Sequence, residues 1–165
     1  MVRHTKVKDP VCGMLVDPSE HALVYLQIHY AFCSLQCRQN FEANPGLYAG
    51  RPGHKAPRQE GTAVIKRRHL HLAEPVPAVC VEPIREALLA LMGVTEVVVD
   101  NDRIEITYDL LQVTAEQIEA VILACEFPLG EAWRDRVHRA WVHYSEEQTL
   151  SSMAVPQTGQ QSGCH

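Results

Sequence analysis

The chain has 165 residues, of which 46% are hydrophobic and 21% are charged, and its formal net charge is −5. This is the composition of an ordinary globular protein, and it excludes a fibrous repeat or a wholly disordered chain. The acidic balance argues against a nucleic-acid-binding surface. No segment approaches the roughly 18 apolar residues of a membrane span, and the first residues are polar, so we expect a soluble, cytoplasmic protein.

Composition divides the chain into two small folded parts. Residues 51–62 are rich in glycine, proline and charge and carry no periodic apolar positions, which is typical of a linker. From residue 145 onward serine, glutamine and threonine dominate, which indicates a flexible tail over 145–165. We therefore predict folded parts over 8–50 and 63–144.

The first part shows the pattern of a hairpin followed by a helix. Residues 22–25 and 28–32 are rich in β-branched and aromatic side chains and flank a short polar break, which predicts two strands. Ser34 suits the N-cap of a helix over 35–43, and Asn44-Pro45-Gly46 should end it. The prediction is a small ββα module.

The second part alternates strands and helices. Apolar residues recur with helical spacing from Ile84 to Leu91 and from Ile118 to Cys125, and strands are predicted near 64–72, 97–99 and 103–108. This βαββα order favours a ferredoxin-like sheet, so the fold class is α+β. An extra C-terminal helix over 131–144 carries an apolar stripe, which should cover either its own domain or a partner, including a second copy in a homodimer.

The most specific signal is the spacing C-x20-C-x3-C formed by Cys12, Cys33 and Cys37. Gly13 permits a tight turn after the first cysteine, and the other two lie at a helix start, where the helix dipole favours thiolates. Thiolates select soft ions such as copper(I) and zinc. Three suffice for copper(I), whereas tetrahedral zinc needs a fourth ligand, for which Met14 and His29 are the nearest candidates. The alternative is three buried cysteines without a metal.

The residues around these cysteines resemble a YHS domain of the TRASH-like group. The resemblance covers residues 8–48 and includes Asp9-Pro10-Val11-Cys12-Gly13-Met14, Tyr30-Ala31-Phe32-Cys33 and Asn44-Pro45 followed by Tyr48. It implies a treble-clef-like module with Cys12, Cys33 and Cys37 as ligands of one ion. Ala31 replaces the middle residue of the family's eponymous motif, so no ligand is assigned there. YHS modules accompany metal-transporting ATPases, metal sensors and some oxygenase subunits.

Residues 64–128 resemble a heavy-metal-associated (HMA) domain. Members of this family bind soft ions through a C-x-x-C loop before the first helix. Cys80 falls on the second cysteine of that loop, but Pro77 occupies the position of the first, so the usual two-thiolate site cannot form within this domain. Cys80 is therefore a weaker candidate ligand. The terminal pair Cys164 and His165 is a further candidate, and Cys125 is expected to be a core residue.

These features predict a non-enzymatic metal-binding protein in heavy-metal homeostasis, acting as a chaperone, a buffer or an accessory to a metal-transporting ATPase. The alternative is a structural-zinc adaptor that dimerises or docks on a partner through the second domain. Thiol redox catalysis by Cys33 and Cys37 is a third hypothesis, but the chain lacks a C-x-x-C motif.

Overall fold

A computed structural model describes residues 5–155. The N-terminal part contains four short strands and a helix: β1 (Val7–Lys8), β2 (Leu15–Val16), β3 (Leu23–Tyr25), β4 (Ile28–Tyr30) and α1 (Leu35–Ala43). The C-terminal part contains three longer strands and three helices: β5 (Ile65–His71), α2 (Ala78–Leu89), β6 (Val94–Asp100), β7 (Arg103–Asp109), α3 (Ala115–Ala124) and α4 (Trp133–Ala154). The mixture of helices and antiparallel sheet confirms the α+β class.

Two antiparallel hairpins and a helix build the N-terminal part. Strands β1 and β2 flank the turn that contains Cys12, and β3 pairs with β4. Leu26 and Gln27 connect β3 to β4 with positive φ angles of 48° and 63°, the backbone of a tight two-residue hairpin turn. The Ser34 side chain accepts a hydrogen bond from the Cys37 N–H and so begins α1. The predicted ββα module is therefore present.

The C-terminal part is a three-stranded antiparallel sheet in the order β5-β7-β6. Strands β5 and β6 both run antiparallel to the central β7, so α2 joins two parallel strands that have β7 between them. This is the split βαβ arrangement of the predicted ferredoxin-like domain. Thr114 and Gln117 form a capping box at the start of α3. Ile84, Leu88 and Ile122 of the helices are buried in the same core as the sheet.

The last helix differs from its prediction. Helix α4 continues to Ala154 instead of ending at residue 144, so residues 145–154, which we expected to belong to the tail, are helical. The reason is non-local: the buried carboxylate of Glu146 accepts hydrogen bonds from the Tyr108 hydroxyl and the Ala115 N–H and lies 3.6 Å from Arg68. Residues 156–165, including the candidate pair Cys164 and His165, lie outside the described residues.

The two parts share one continuous hydrophobic core, and polar contacts join them. The side-chain amide of Gln36 on α1 donates to the backbone carbonyls of Met92 and Gln112. In the expected linker, Arg58 donates to the Val11 carbonyl at 2.8 Å and forms an ion pair with Asp109 at 3.1 Å. Residues 51–62 therefore fasten the two parts together instead of separating them.

Replacing Tyr48 by phenylalanine should weaken this junction. The buried Tyr48 hydroxyl donates to the Leu111 carbonyl at 2.7 Å, and its loss would leave a buried acceptor without that partner. We expect the free energy of unfolding to fall by about 1–3 kcal/mol in urea denaturation. The control is Tyr144→Phe, because Tyr144 is exposed and its replacement should change stability little. Equal effects of the two changes would contradict a role for the buried hydroxyl.

Among residues 5–155, no helix is both long enough and apolar enough to cross a bilayer.

Candidate metal centre

Three segments of the N-terminal part bring Cys12, Cys33 and Cys37 together. Cys12 lies in the turn between β1 and β2, where Gly13 adopts a φ of +84° that suits glycine. Cys33 lies three residues after the end of β4, directly before the N-cap Ser34, and Cys37 lies in the first turn of α1. A hairpin turn, a strand end and a helix start thus converge on one point, as the cysteine spacing predicted.

The distances between the sulfur atoms fit a shared soft metal ion. The Sγ atom of Cys33 lies 3.4 Å from that of Cys12 and 3.6 Å from that of Cys37. Sulfur ligands bound to zinc at about 2.3 Å stand roughly 3.8 Å apart in a tetrahedral arrangement, so only a small adjustment would be needed. The thiols are free. The donor set therefore fits a soft metal ion.

Asp9 organises the centre, a role that was not predicted from the sequence. Its carboxylate is fully buried and accepts hydrogen bonds from the N–H groups of Val11 at 2.8 Å, Cys12 at 3.3 Å and Cys33 at 2.8 Å. It also lies close enough to the three sulfurs to belong to the same group of potential ligands, whose atoms all lie within 4.8 Å of one another. Because its oxygens already accept three amides, we infer that Asp9 holds two cysteine segments in register.

A sequence signal for this role exists. An aspartate side chain often accepts the N–H two residues along the chain, and Pro10 forces the first available amide to be that of Val11. The contact with the Cys33 N–H, by contrast, joins residues far apart in sequence and depends on the tertiary fold.

The three thiols differ in their electrostatic surroundings. The pKa of Cys12 is lowered to about 7, chiefly because the Cys37 thiol donates a hydrogen bond to its sulfur, with a further contribution from the Met14 N–H. Burial raises the pKa of Cys33 to about 11. The pKa of Cys37 is raised because its proton is held in the bond to Cys12 and because the group is buried. Cys12 is therefore the first of the three to become a thiolate.

In the metal-free protein, a limiting amount of iodoacetamide should modify Cys12 before Cys33 or Cys37. Since the thiolate is the nucleophile, the rate at Cys12 should increase with pH through a midpoint near 7. Cys33 should react only at more alkaline pH. Peptide mass spectrometry over a pH series measures the modification at each site. Faster modification of Cys33 than of Cys12 at pH 7 would contradict this order.

A cavity of about 540 Å³ opens beside Cys12. Its lining includes Lys8, Tyr30, Tyr48 and Arg58 in addition to Asp9 and Cys12. Cys33 and Cys37 do not line it, so an incoming group would reach the centre from the Cys12 side.

His29 and Cys80, two of the other candidate ligands, lie apart from this trio. His29 is exposed on β4 and does not join the group of ligand atoms within 4.8 Å of one another. The Met14 side chain is 48% exposed, although its backbone N–H supports Cys12. Cys80 lies in the first turn of α2, outside the group, and Pro77 is the N-cap of that helix. Cys125 is half-buried at the end of α3 and packs against the core, as expected.

Comparisons with known proteins agree with the N-terminal assignment. No curated protein matches the sequence. A structural match is the crystal structure of oxidized MerP from Ralstonia metallidurans CH34, with 14% identity and a TM-score of 0.38, covering 41% of this chain and 96% of that chain. The sequence model of the YHS domain family matches residues 7–52, a segment that contains the hairpins, α1 and all three converging cysteines. Residues 7–52 are therefore a YHS domain.

Proposed function

We propose that the protein binds one soft metal ion, copper(I) or zinc, at Cys12, Cys33 and Cys37 and passes it on as a non-enzymatic chaperone, buffer or transporter accessory. The observation that carries this proposal is the convergence of three free thiols within bonding reach of a single ion. Free thiols persist in a reducing compartment, which supports a cytoplasmic site of action.

The donor set favours a site with an open coordination position. The Asp9 oxygens are engaged by three backbone amides, which leaves the three sulfurs as the ligands. Three thiolates complete a trigonal copper(I) site, whereas zinc would take a water or an incoming ligand as its fourth partner. The cavity beside Cys12 gives such a ligand access. A thiol-rich acceptor, such as a metal-transporting ATPase, is the kind of partner that could remove the ion through it.

The second domain has a different part in this proposal. Among residues 63–155 the cysteines are Cys80 and Cys125, on different helices, and they do not form a two-thiolate loop. We propose that this domain supports the YHS domain and contributes surface for protein contacts instead of binding a second ion.

Elemental analysis of protein purified anaerobically tests the proposal. We expect near-stoichiometric metal in the native protein and its loss on changing Cys12, Cys33 or Cys37 to serine. Matched controls are Cys80→Ser and Cys125→Ser, which should retain the metal. Bound copper(I) should also transfer to a thiol-rich acceptor protein. Absence of metal under every loading condition would refute the proposal, as would equal loss in the control variants.

A structural-zinc adaptor is the second candidate, and the complete burial of Cys37 in the core favours it. Its ion should resist strong chelators, and its removal should unfold the YHS domain together with the C-terminal part that shares its core. Circular dichroism during chelator titration distinguishes the two functions, because a transferable ion should leave without loss of the folded signal.

A further inference from the structure

Helix α4 exposes an apolar surface that no described residue covers. Its large side chains are Trp133, Val137, Trp141 and Tyr144, which are between 59% and 70% exposed. They follow one another at gaps of four, four and three residues, close to the period of an α-helix, so they form one continuous line that we call the aromatic stripe. An exposed stripe of this kind marks an interaction surface.

The helix cannot simply rotate to bury the stripe in its own domain. The buried residues of α4 are Val142, Glu146 and Leu150, on the opposite side of the helix. Glu146 is fixed by the Tyr108 hydroxyl and by the Ala115 N–H at 2.8 Å. Turning the stripe inward would expose the Glu146 carboxylate and break its hydrogen bonds to Tyr108 and Ala115. The stripe therefore faces outward in the folded chain.

The charges beside the stripe are complementary to those of a second copy. Arg136 and Glu147 are both exposed, and neither forms an ion pair within residues 5–155. They lie about three helical turns apart and therefore on the same side of the stripe. The midpoint between them falls at Trp141 and Val142.

We propose that α4 pairs with α4 of a second copy in an antiparallel, two-fold symmetric interface centred beside Trp141. The two-fold axis places Arg136 of each copy opposite Glu147 of the other and sets Val137 close to the Tyr144 ring of the second copy. In a parallel pair the same flank of each helix lies on opposite sides of the interface, so Arg136 and Glu147 of one copy would not meet those of the other and both charges would stay unpaired. This inference does not depend on the metal centre or on the proposed function.

A second copy fits the stripe better than a lipid surface does. An amphipathic helix that binds anionic membranes carries basic residues along its polar face. Here Glu147 is part of the flank of the stripe, and the whole chain has a formal net charge of −5, which opposes approach to an anionic bilayer.

Dilution of the full-length, reduced protein tests the pairing directly. Both tryptophans of the chain lie on the stripe, so their fluorescence reports on this surface alone. We expect emission to shift to longer wavelength on dilution, in parallel with a dimer-to-monomer transition in sedimentation equilibrium. A chain that stays monomeric up to high micromolar concentration, or whose emission responds only to vesicles containing phosphatidylserine, would overturn the proposal.

Charge reversal tests the antiparallel register. Arg136→Glu and Glu147→Arg should each raise the dimer dissociation constant by about tenfold or more. The reason is that residue 136 of each copy faces residue 147 of the other, so either change creates two pairs of like charges in the interface. The double variant should regain the native dissociation constant to within about threefold, since both ion pairs re-form with reversed sign. The matched control is Glu96→Arg, at an exposed position on β6, the edge strand on the opposite side of the sheet from β5, which should leave dimerisation unchanged. A dimer that is insensitive to both single reversals, or one that the double variant fails to restore, would refute this interface.

Discussion

Replacing Phe41 by alanine should lower the free energy of unfolding by about 3–5 kcal/mol, among the largest effects of any single substitution in the protein. Phe41 is completely buried, and four aromatic rings surround it: Tyr30 at 4.7 Å, Phe32 at 5.3 Å, Tyr25 at 5.6 Å and Tyr48 at 6.0 Å between ring centroids. Removal of its ring would leave a cavity at the centre of the YHS domain.

Urea denaturation measures this loss, and Phe41→Leu is the matched control because it retains most of the buried volume. We expect the leucine variant to lose clearly less stability than the alanine variant. Cys37 lies one turn before Phe41 on the same buried face of α1, so the alanine variant should also bind metal more weakly. A change in unfolding free energy below 1 kcal/mol for Phe41→Ala would contradict the central packing role.

Replacing Asp9 by asparagine should reduce metal affinity by roughly 10–100-fold, although it removes none of the three sulfurs. Both carboxylate oxygens of Asp9 accept backbone N–H groups, one from the Cys12 segment and the other from Cys33. An amide side chain has one oxygen and one NH2 group, so one of these segments would face a second donor instead of an acceptor. The cysteines would then lose the alignment that brings their sulfurs together.

A competition titration with a chromogenic copper(I) or zinc chelator measures the affinity of the Asp9 variant. Asp100→Asn is a suitable control, because Asp100 is exposed at the turn between β6 and β7. We expect the control to bind as tightly as the native protein. Native affinity in Asp9→Asn would show that the carboxylate has no positioning role.

The features that could be predicted from the sequence are those fixed by neighbouring residues. Ser34 caps the helix that it was expected to cap, because a cap depends on amides within three residues. The order of strands and helices then restricts the sheet topology, which the structure confirms. The convergence of Cys12 with Cys33 and Cys37 followed from the motif and from its resemblance to the YHS family.

The features that could not be predicted depend on contacts between distant residues. Residues 145–154 have the polar composition of a tail, and they remain helical because Glu146 bonds to Tyr108 and Ala115 and because Leu150 is buried in the core. Residues 51–62 have the composition of a spacer, but Arg58 bonds to Val11 on one side and Asp109 on the other. The amino-acid composition of a segment indicates that the segment lacks a local helix or strand pattern. It does not indicate which distant residues the segment will contact.

The shared core also bears on how the protein unfolds. Because a single hydrophobic cluster extends from Phe41 through the sheet, and Gln36, Tyr48 and Arg58 connect the two parts, neither part can open without exposing the other. The molecule should therefore melt in one cooperative transition instead of two. An ion that binds the cysteines only in the native state would then raise the melting temperature of the whole chain. Metal binding would therefore stabilise the C-terminal sheet and its helices, although they contribute no ligand.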